Sequence, residues 1–162
     1  GASVKPGAES YIEWQRVFGK NFFSATNIIE AGVSHLEESK GTIVCISSIC
    51  GCEIIPGAPL TYSVAKAALN AYVKGISRPL GDMGVRINAV APGNVVFEGS
   101  VWDRKLSESA AQVQHMLESE VPLKRLGSVS EIATAVLWLA SSQASFVTGS
   151  ILIADGGQTR SI

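Results

Sequence analysis

No run of apolar residues in this chain approaches the roughly 20 needed to cross a bilayer; the longest, Ile132 to Ala140, is interrupted by Thr134. A membrane-spanning helix is therefore not expected. Clusters of Lys or Arg are also missing, and 13 basic against 14 acidic residues leave a formal charge of −1, so the chain has no electrostatic footprint for nucleic acid or an anionic membrane. Both are set aside as partners. Cysteine is scarce: the 3 copies, Cys45, Cys50 and Cys52, are odd in number and lack a second ligand pair at zinc-site spacing. Reduced thiols are expected, with neither a disulfide framework nor a metal site. Gly1 is followed by polar and Gly/Pro-containing residues instead of a basic segment and an apolar core, so no signal peptide is expected and the cytoplasm is the default location.

A length of 162 residues suits one domain with a sizeable core. The balance of 46% hydrophobic to 17% charged residues is slightly greasier than average, which suggests apolar surface covered by other chains. Residues 1–9 read as a loop. From Tyr11 to about Glu38, apolar residues recur at mixed three- and four-residue spacings, predicting a long helix buried on more than one side. Gly41 introduces Thr42–Ile46, an unbroken β-branched and apolar run expected to be a parallel strand covered on both faces. A second helix is predicted from Leu60 to Arg78, with Ala65, Ala67, Ala68 and Ala71 permitting close approach by neighbours and Pro79 ending or bending it.

Val85 to Ala91 gives another strand, broken by Pro92-Gly93. An irregular segment follows, containing an amphipathic helix around Asp103 to Glu118 in which Leu106, Ala110, Val113 and Leu117 share a face. Ser128 and Glu131 fit a capping box that opens a further helix through Leu139. Ser150 to Ala154 forms the last strand. The alternation of helix and strand implies parallel crossovers and a doubly wound α/β sheet. Only three strands are visible, fewer than the roughly five such a sheet uses to bury its centre, and no glycine-rich turn joins a first strand to a first helix.

The residues that carry chemistry follow from this layout. In Tyr62-Ser-Val-Ala-Lys66 an i,i+4 spacing places a phenol and an ammonium on one helix face. A free phenol has a pKa of about 10, and a nearby cation is expected to lower it, making Tyr62 a general acid/base. By itself the pair is a weak signal, since most such pairs are solvated. Its context is stronger: Ser47-Ser48 lies at the carboxyl end of a strand, where open α/β sheets build their ligand crevices, and a hydroxyl there can donate to a substrate oxygen.

Gly41-Thr-Ile-Val-Cys-Ile-Ser-Ser-Ile-Cys-Gly51, Tyr62-Ser-Val-Ala-Lys66 and Arg86-Ile-Asn-Ala-Val-Ala-Pro-Gly93, in that order, resemble the short-chain dehydrogenase/reductase family. The likeness continues through Val121–Gly127, Glu131-Ile132, Leu139–Ser141, Thr148-Gly149 and Asp155-Gly-Gly157, nearly the whole chain. The resemblance implies the carboxyl-terminal part of a Rossmann fold, with residues 1–162 a partial NAD(P)-binding domain and NAD or NADP the cofactor. Ser48 would hold the reacting oxygen, Tyr62 exchange its proton, and Lys66 lower the Tyr pKa and bind nicotinamide ribose. Asn21 would support a proton relay through water to Lys66, although an Asn in a helix can also satisfy backbone groups at a kink. Pro92-Gly93 would approach the nicotinamide face, and the Val95 backbone its carboxamide. Phe97 stands where relatives often carry a hydroxyl residue.

The expected reaction is hydride transfer between nicotinamide and a secondary alcohol or ketone, a small-molecule substrate. The chain resembles 3-oxoacyl-carrier-protein reductases broadly, but equally sugar, steroid and small-alcohol dehydrogenases. Because Gly1 to Lys5 resembles the stretch just after the family's fourth strand, the chain alone is expected to be incomplete and inactive. The alternative is a naturally short, non-catalytic binding or assembly module. Residues 94–118 are expected to form a substrate lid, or failing that a rigid surface excursion. The helices at 11–38 and 60–78 are expected to carry a homodimer or homotetramer interface, as similar enzymes do, or to lie beneath missing amino-terminal residues.

Overall fold

The computed structural model describes residues 7–160; most of the loop expected at 1–9, Gly1 to Lys5 included, lies outside the described residues. Ser10 opens the first helix, its Oγ accepting from the Glu13 amide at 3.2 Å. Helix α1 covers Tyr11–Phe18, widens into a π-helical turn at Gly19–Phe23, and continues as α2, Ser24–Ser39. The predicted rod is thus continuous, and the wider turn shifts its apolar face, which accounts for the mixed spacing of its apolar residues. Lys40, at a φ of 50°, closes it in the left-handed conformation.

The remaining elements are β1 (Thr42–Ile46), α3 (Leu60–Asp82), β2 (Arg86–Pro92), β3 (Val95–Val96), α4 (Val101–Glu120), β4 (Gly127–Ser128), α5 (Val129–Ala140) and β5 (Ile151–Ala154). Three of them form a parallel sheet in the order β1-β2-β5, with Ile43 opposite Ile87 and Val90 opposite Leu152. On one face, α2 and α3 bury Ile29, Leu69, Val73 and Leu80 against Ile87 and Ala89. The alternate residues of β2 face the other way: Arg86 donates to the carbonyls of Leu139 and Ser141 at the end of α5, and Asn88 to Val147. Helices on both faces of a parallel sheet make the doubly wound α/β arrangement of a Rossmann-like fold.

Four sequence expectations need correction. Pro79 does not end α3, which runs on to Asp82. A proline inside a helix crowds the carbonyl four residues back, but here burial of Leu80, only 4% exposed, fixes the final turn in the core. Among the described residues β1 is not covered on both faces: Ile46 is 49% exposed, whereas β2 is buried from Ile87 to Ala91. The amphipathic helix at 103–118 is longer, capped by Ser100, and interrupted at Ser109, whose φ/ψ of −161°/89° is extended; Ala110 lies exposed beyond the break. Finally, the short parallel pair of β3 and β4 went unread, because two residues carry no periodicity. The capping box is present, with the Glu131 carboxylate accepting from the Ser128 amide at 2.8 Å.

Candidate active site

The site begins where β1 runs out. Ser47 keeps sheet register, its amide donating to Val90 at 2.7 Å, while its hydroxyl donates to the Asn70 side-chain oxygen at 2.5 Å. Asn70 in turn donates to the Gly51 carbonyl at 3.0 Å. Ser48 caps a 3-10 turn over Ile49–Gly51, its Oγ accepting from the Cys50 amide at 3.2 Å. That turn presses on α3: a Cβ on Gly51 would lie 2.6 Å from the Lys66 carbonyl carbon and 2.9 Å from the Ala67 nitrogen. Glycine is required by this approach, and its effect is to bring Ser48 against the helix that carries Tyr62 and Lys66.

Tyr62 is half-buried, and Ser48 and Lys66 are each 8% exposed. Burial pushes the Tyr62 hydroxyl above its ordinary pKa, a hydrogen bond with the Ser48 side chain draws it down, and Cys50 adds a smaller upward push. The net direction is upward, opposite to the lowering expected from Lys66. The cause is geometric: the Lys66 ammonium lies over the Tyr62 ring, 5.7 Å from its centroid, and donates to the Ile46 carbonyl at 2.8 Å. Held there, it does not offset the burial of the phenol. Burial also lowers the pKa of Lys66, with Cys45 opposing.

Ser48, Tyr62 and Gly93 line one cavity of about 880 Å³ at the carboxyl ends of the strands, and Asn21 reaches it from the π-helical turn. The Asn21 amide nitrogen donates to the Val17 carbonyl at 3.0 Å, a backbone-satisfying bond within the widened helix. Among the described residues no hydrogen bond joins Asn21 to Lys66 directly. Lys66, Pro92 and Val95 do not line the cavity; Pro92 ends β2, and Val95 sits in β3 opposite Gly127. Gly93 is dictated by packing, since a Cβ there would meet Asp155 at 2.7 Å. Phe97 is 56% exposed, and its amide donates to the Ser100 hydroxyl, which caps α4.

Several residues that shape the site had no sequence signal. Glu9, in the predicted loop, reaches the start of α3, where its carboxylate accepts from the Thr61 amide at 3.0 Å and hydroxyl at 3.1 Å. Glu53 accepts from the Arg160 amide at 2.8 Å, tying the segment after Ser48 to the one after β5. Gln158 and Asn94 also line the cavity. Cys45 is buried, Cys50 and Cys52 are half-buried, and all are free. The described residues hold no cluster of metal-ligating side chains and no helix long and apolar enough to cross a membrane.

Parallel strands ending at a cavity lined by both Ser48 and Tyr62, with Lys66 one turn further along the same helix, match the motifs read from the sequence. A family model described as enoyl-(acyl carrier protein) reductase matches residues 7–159, and the chain belongs to the short-chain dehydrogenase/reductase family. It is 34% identical over 147 residues to isoepoxydon dehydrogenase of Penicillium expansum, covering 89% of this chain and 56% of that protein. With glucose 1-dehydrogenase 2 of Bacillus subtilis the identity is 34% over 161 residues, 98% of this chain and 60% of the relative. Among solved structures, an NADPH-bound short-chain oxidoreductase of Pseudomonas aeruginosa, described as containing an atypical catalytic center, superimposes with a TM-score of 0.87 at 28% identity. It covers 100% of this chain and 63% of that one. A 3-oxoacyl-[acyl-carrier protein] reductase of Brucella melitensis with bound NAD gives 0.81 at 32% identity, over 97% of this chain and 56% of that one. The chain thus spans between 56% and 63% of the length of these proteins.

Proposed function

We propose that the protein is an NAD- or NADP-dependent oxidoreductase that interconverts a secondary alcohol and a ketone, with Tyr62 as general acid/base. The observation that carries this reading is that Tyr62 and Ser48 line one cavity together at the carboxyl end of β1. In the reducing direction the Ser48 hydroxyl donates to the carbonyl oxygen of the substrate, and the Tyr62 hydroxyl gives up its proton as negative charge develops there. In the oxidising direction Tyr62 takes the proton back. An upward-shifted phenol holds its proton at neutral pH, which suits the acid role. A bound nicotinamide supplies or accepts the hydride.

The residues fit the nicotinamide end of such a cofactor. An ammonium has three donors, and the Lys66 side chain spends one on the Ile46 carbonyl, leaving donors for ribose hydroxyls. Gly93 lines the cavity without a side chain, and a Cβ there would meet Asp155 at 2.7 Å. No glycine-rich strand-to-helix turn occurs among the described residues, and the relatives are longer. We therefore propose that residues 1–162 alone bind the dinucleotide poorly and do not turn over. Residues 94–118 are proposed as the substrate lid: Trp102, Lys105 and Met116 line the cavity, and Val113, Leu117 and Val121 form a small apolar cluster separate from the main core. The exposed Tyr11, Ile12 and Ile28 on the helix at 11–38 and Val64 on the helix at 60–78 support the proposal of a homo-oligomer through these two helices.

The decisive experiment is Tyr62→Phe in the complete protein, read by coenzyme-linked turnover and by coenzyme binding. Turnover is expected to fall by about 10²-fold or more, the scale of a lost proton-transfer group, while coenzyme binding persists. Undiminished turnover refutes the assignment.

A further inference from the structure

Two primary amides that line the cavity have weak or no hydrogen-bond partners among the described residues. Gln158 lines the cavity, and its side-chain oxygen is buried without any hydrogen-bond partner among the described residues. Buried polar atoms are satisfied in the great majority of cases, so one without a partner on a residue that lines a cavity marks a place where a partner is missing. Asn94 lines the same cavity directly after Gly93, and the partner of its amide nitrogen is the Met116 thioether at 3.7 Å, a weak acceptor. The two stand at the ends of neighbouring strands, since the Gly93 amide donates to the Ala154 carbonyl at 3.0 Å.

The segment carrying Gln158 is held in place. The Asp155 carboxylate accepts from the Gly157 amide, the Thr159 amide and the Thr159 hydroxyl at 2.7–2.8 Å. Arg160 is tied by its amide to Glu53. A side chain fixed at its root, with a broad last torsion, can turn either end of its amide toward the cavity without moving the backbone.

We infer that Asn94 and Gln158 form a polar recognition pair for the part of the substrate that does not react. The substrate is then an alcohol or ketone that carries a further hydroxyl or amide group near the reacting carbon, and not a plain hydrocarbon ketone. This rests on the oxidoreductase reading above and narrows it to a substrate class. A cavity with amides on one wall discriminates against an analogue lacking the matching group, because its own polar atoms then stay unpaired.

The test uses the complete protein with NADH or NADPH and two matched pairs, hydroxyacetone against acetone and acetoin against butanone. The readout is the ratio of kcat/KM within each pair, which is internal to one preparation and insensitive to a loss of folded protein. Wild type is expected to favour the hydroxylated member by about tenfold, the scale of one net hydrogen bond with its partner left buried. Gln158→Leu and Asn94→Leu should each bring the ratio toward one, and Gln158→Glu, which retains an acceptor, should keep most of it. A wild-type ratio near one overturns the inference, as does a ratio unchanged in both Leu variants or a change confined to coenzyme KM. Turnover of none of the four ketones overturns this inference, whereas the oxidoreductase reading is tested separately by Tyr62→Phe.

Discussion

Replacing Glu9 by Ala tests how the helix bearing Tyr62 and Lys66 is held. The first amides of any helix lack partners within it, and Pro59, which precedes α3, makes no side-chain cap. Glu9 fills the gap from a distant part of the chain, accepting from both the amide and the hydroxyl of Thr61, which is 0% exposed. A carboxylate at a helix amino terminus also meets the positive end of the macrodipole. Truncation to Ala leaves a buried N–H and a buried hydroxyl open. One unsatisfied buried donor costs about 1–3 kcal/mol, and a lost helix cap about 1 kcal/mol; since both figures describe partly the same bond, a loss of about 2–3 kcal/mol is expected. At about 2–4 °C per kcal/mol for a chain of this size, Tm should fall by about 5–10 °C. Urea or thermal melts of wild type, Glu9→Ala, Thr61→Val and the double variant provide the assay, and the cycle should give a coupling of about 1 kcal/mol. A Glu9→Ala protein within about 0.5 kcal/mol of wild type, the range of ordinary surface changes, refutes the reasoning.

Gly51→Ala should both destabilise the protein and lower turnover, since the new Cβ would meet the Lys66 backbone at 2.6 Å and push Ser48 off α3; activity and stability equal to wild type count against that close approach. Hydrogen bonds from Arg125 and Ser128 lower the Glu131 carboxyl from 4.5 to about 2. A depressed folded-state value means that its contribution is present above the unfolded pKa and fades as pH drops from about 4.5 toward 2. The acid limb of a stability curve should therefore flatten in Glu131→Gln, and superimposable curves would contradict the prediction. Hydrogen exchange with and without coenzyme on the complete protein should show added protection across 94–118 if that segment closes as a lid; equal protection in both states removes the role.

Periodicity and punctuation made the architecture readable. The β-branched run at 42–46, the Pro92-Gly93 break and the Ser128/Glu131 box are local signals, and each element stands within a few residues of where they put it. Errors arose where a neighbour overrides the local rule. Pro79 breaks helices in isolation, but Leu80 beyond it is buried in the core. Asn21 was ambiguous because the choice between relay and kink depends on the π-helical turn, and a widened turn has no composition of its own. Glu9 and Arg160 act through partners 52 and 107 residues away, a separation no window can bridge.

The pKa of Tyr62 shows the same limit in chemical terms. An i,i+4 Tyr and Lys do share a helix face, but sharing a face fixes neither where the ammonium points nor how much water reaches the phenol. Lys66 turns to the Ile46 carbonyl because β1 ends beside α3, and β1 ends there because Ser47, Asn70 and Gly51 hold the strand end against the helix. The same packing buries Tyr62 and raises its pKa. For the phenol to act as a base, an ammonium must move closer to its oxygen or the Ser48 bond must strengthen as charge develops. Hydroxyls that competed with Ile46 for Lys66 would shift the ammonium without any change in the backbone. The proposed proton-donating role of Tyr62 is therefore consistent with the arrangement as it stands, and the proposed proton-accepting role depends on what the remaining donors of Lys66 come to hold.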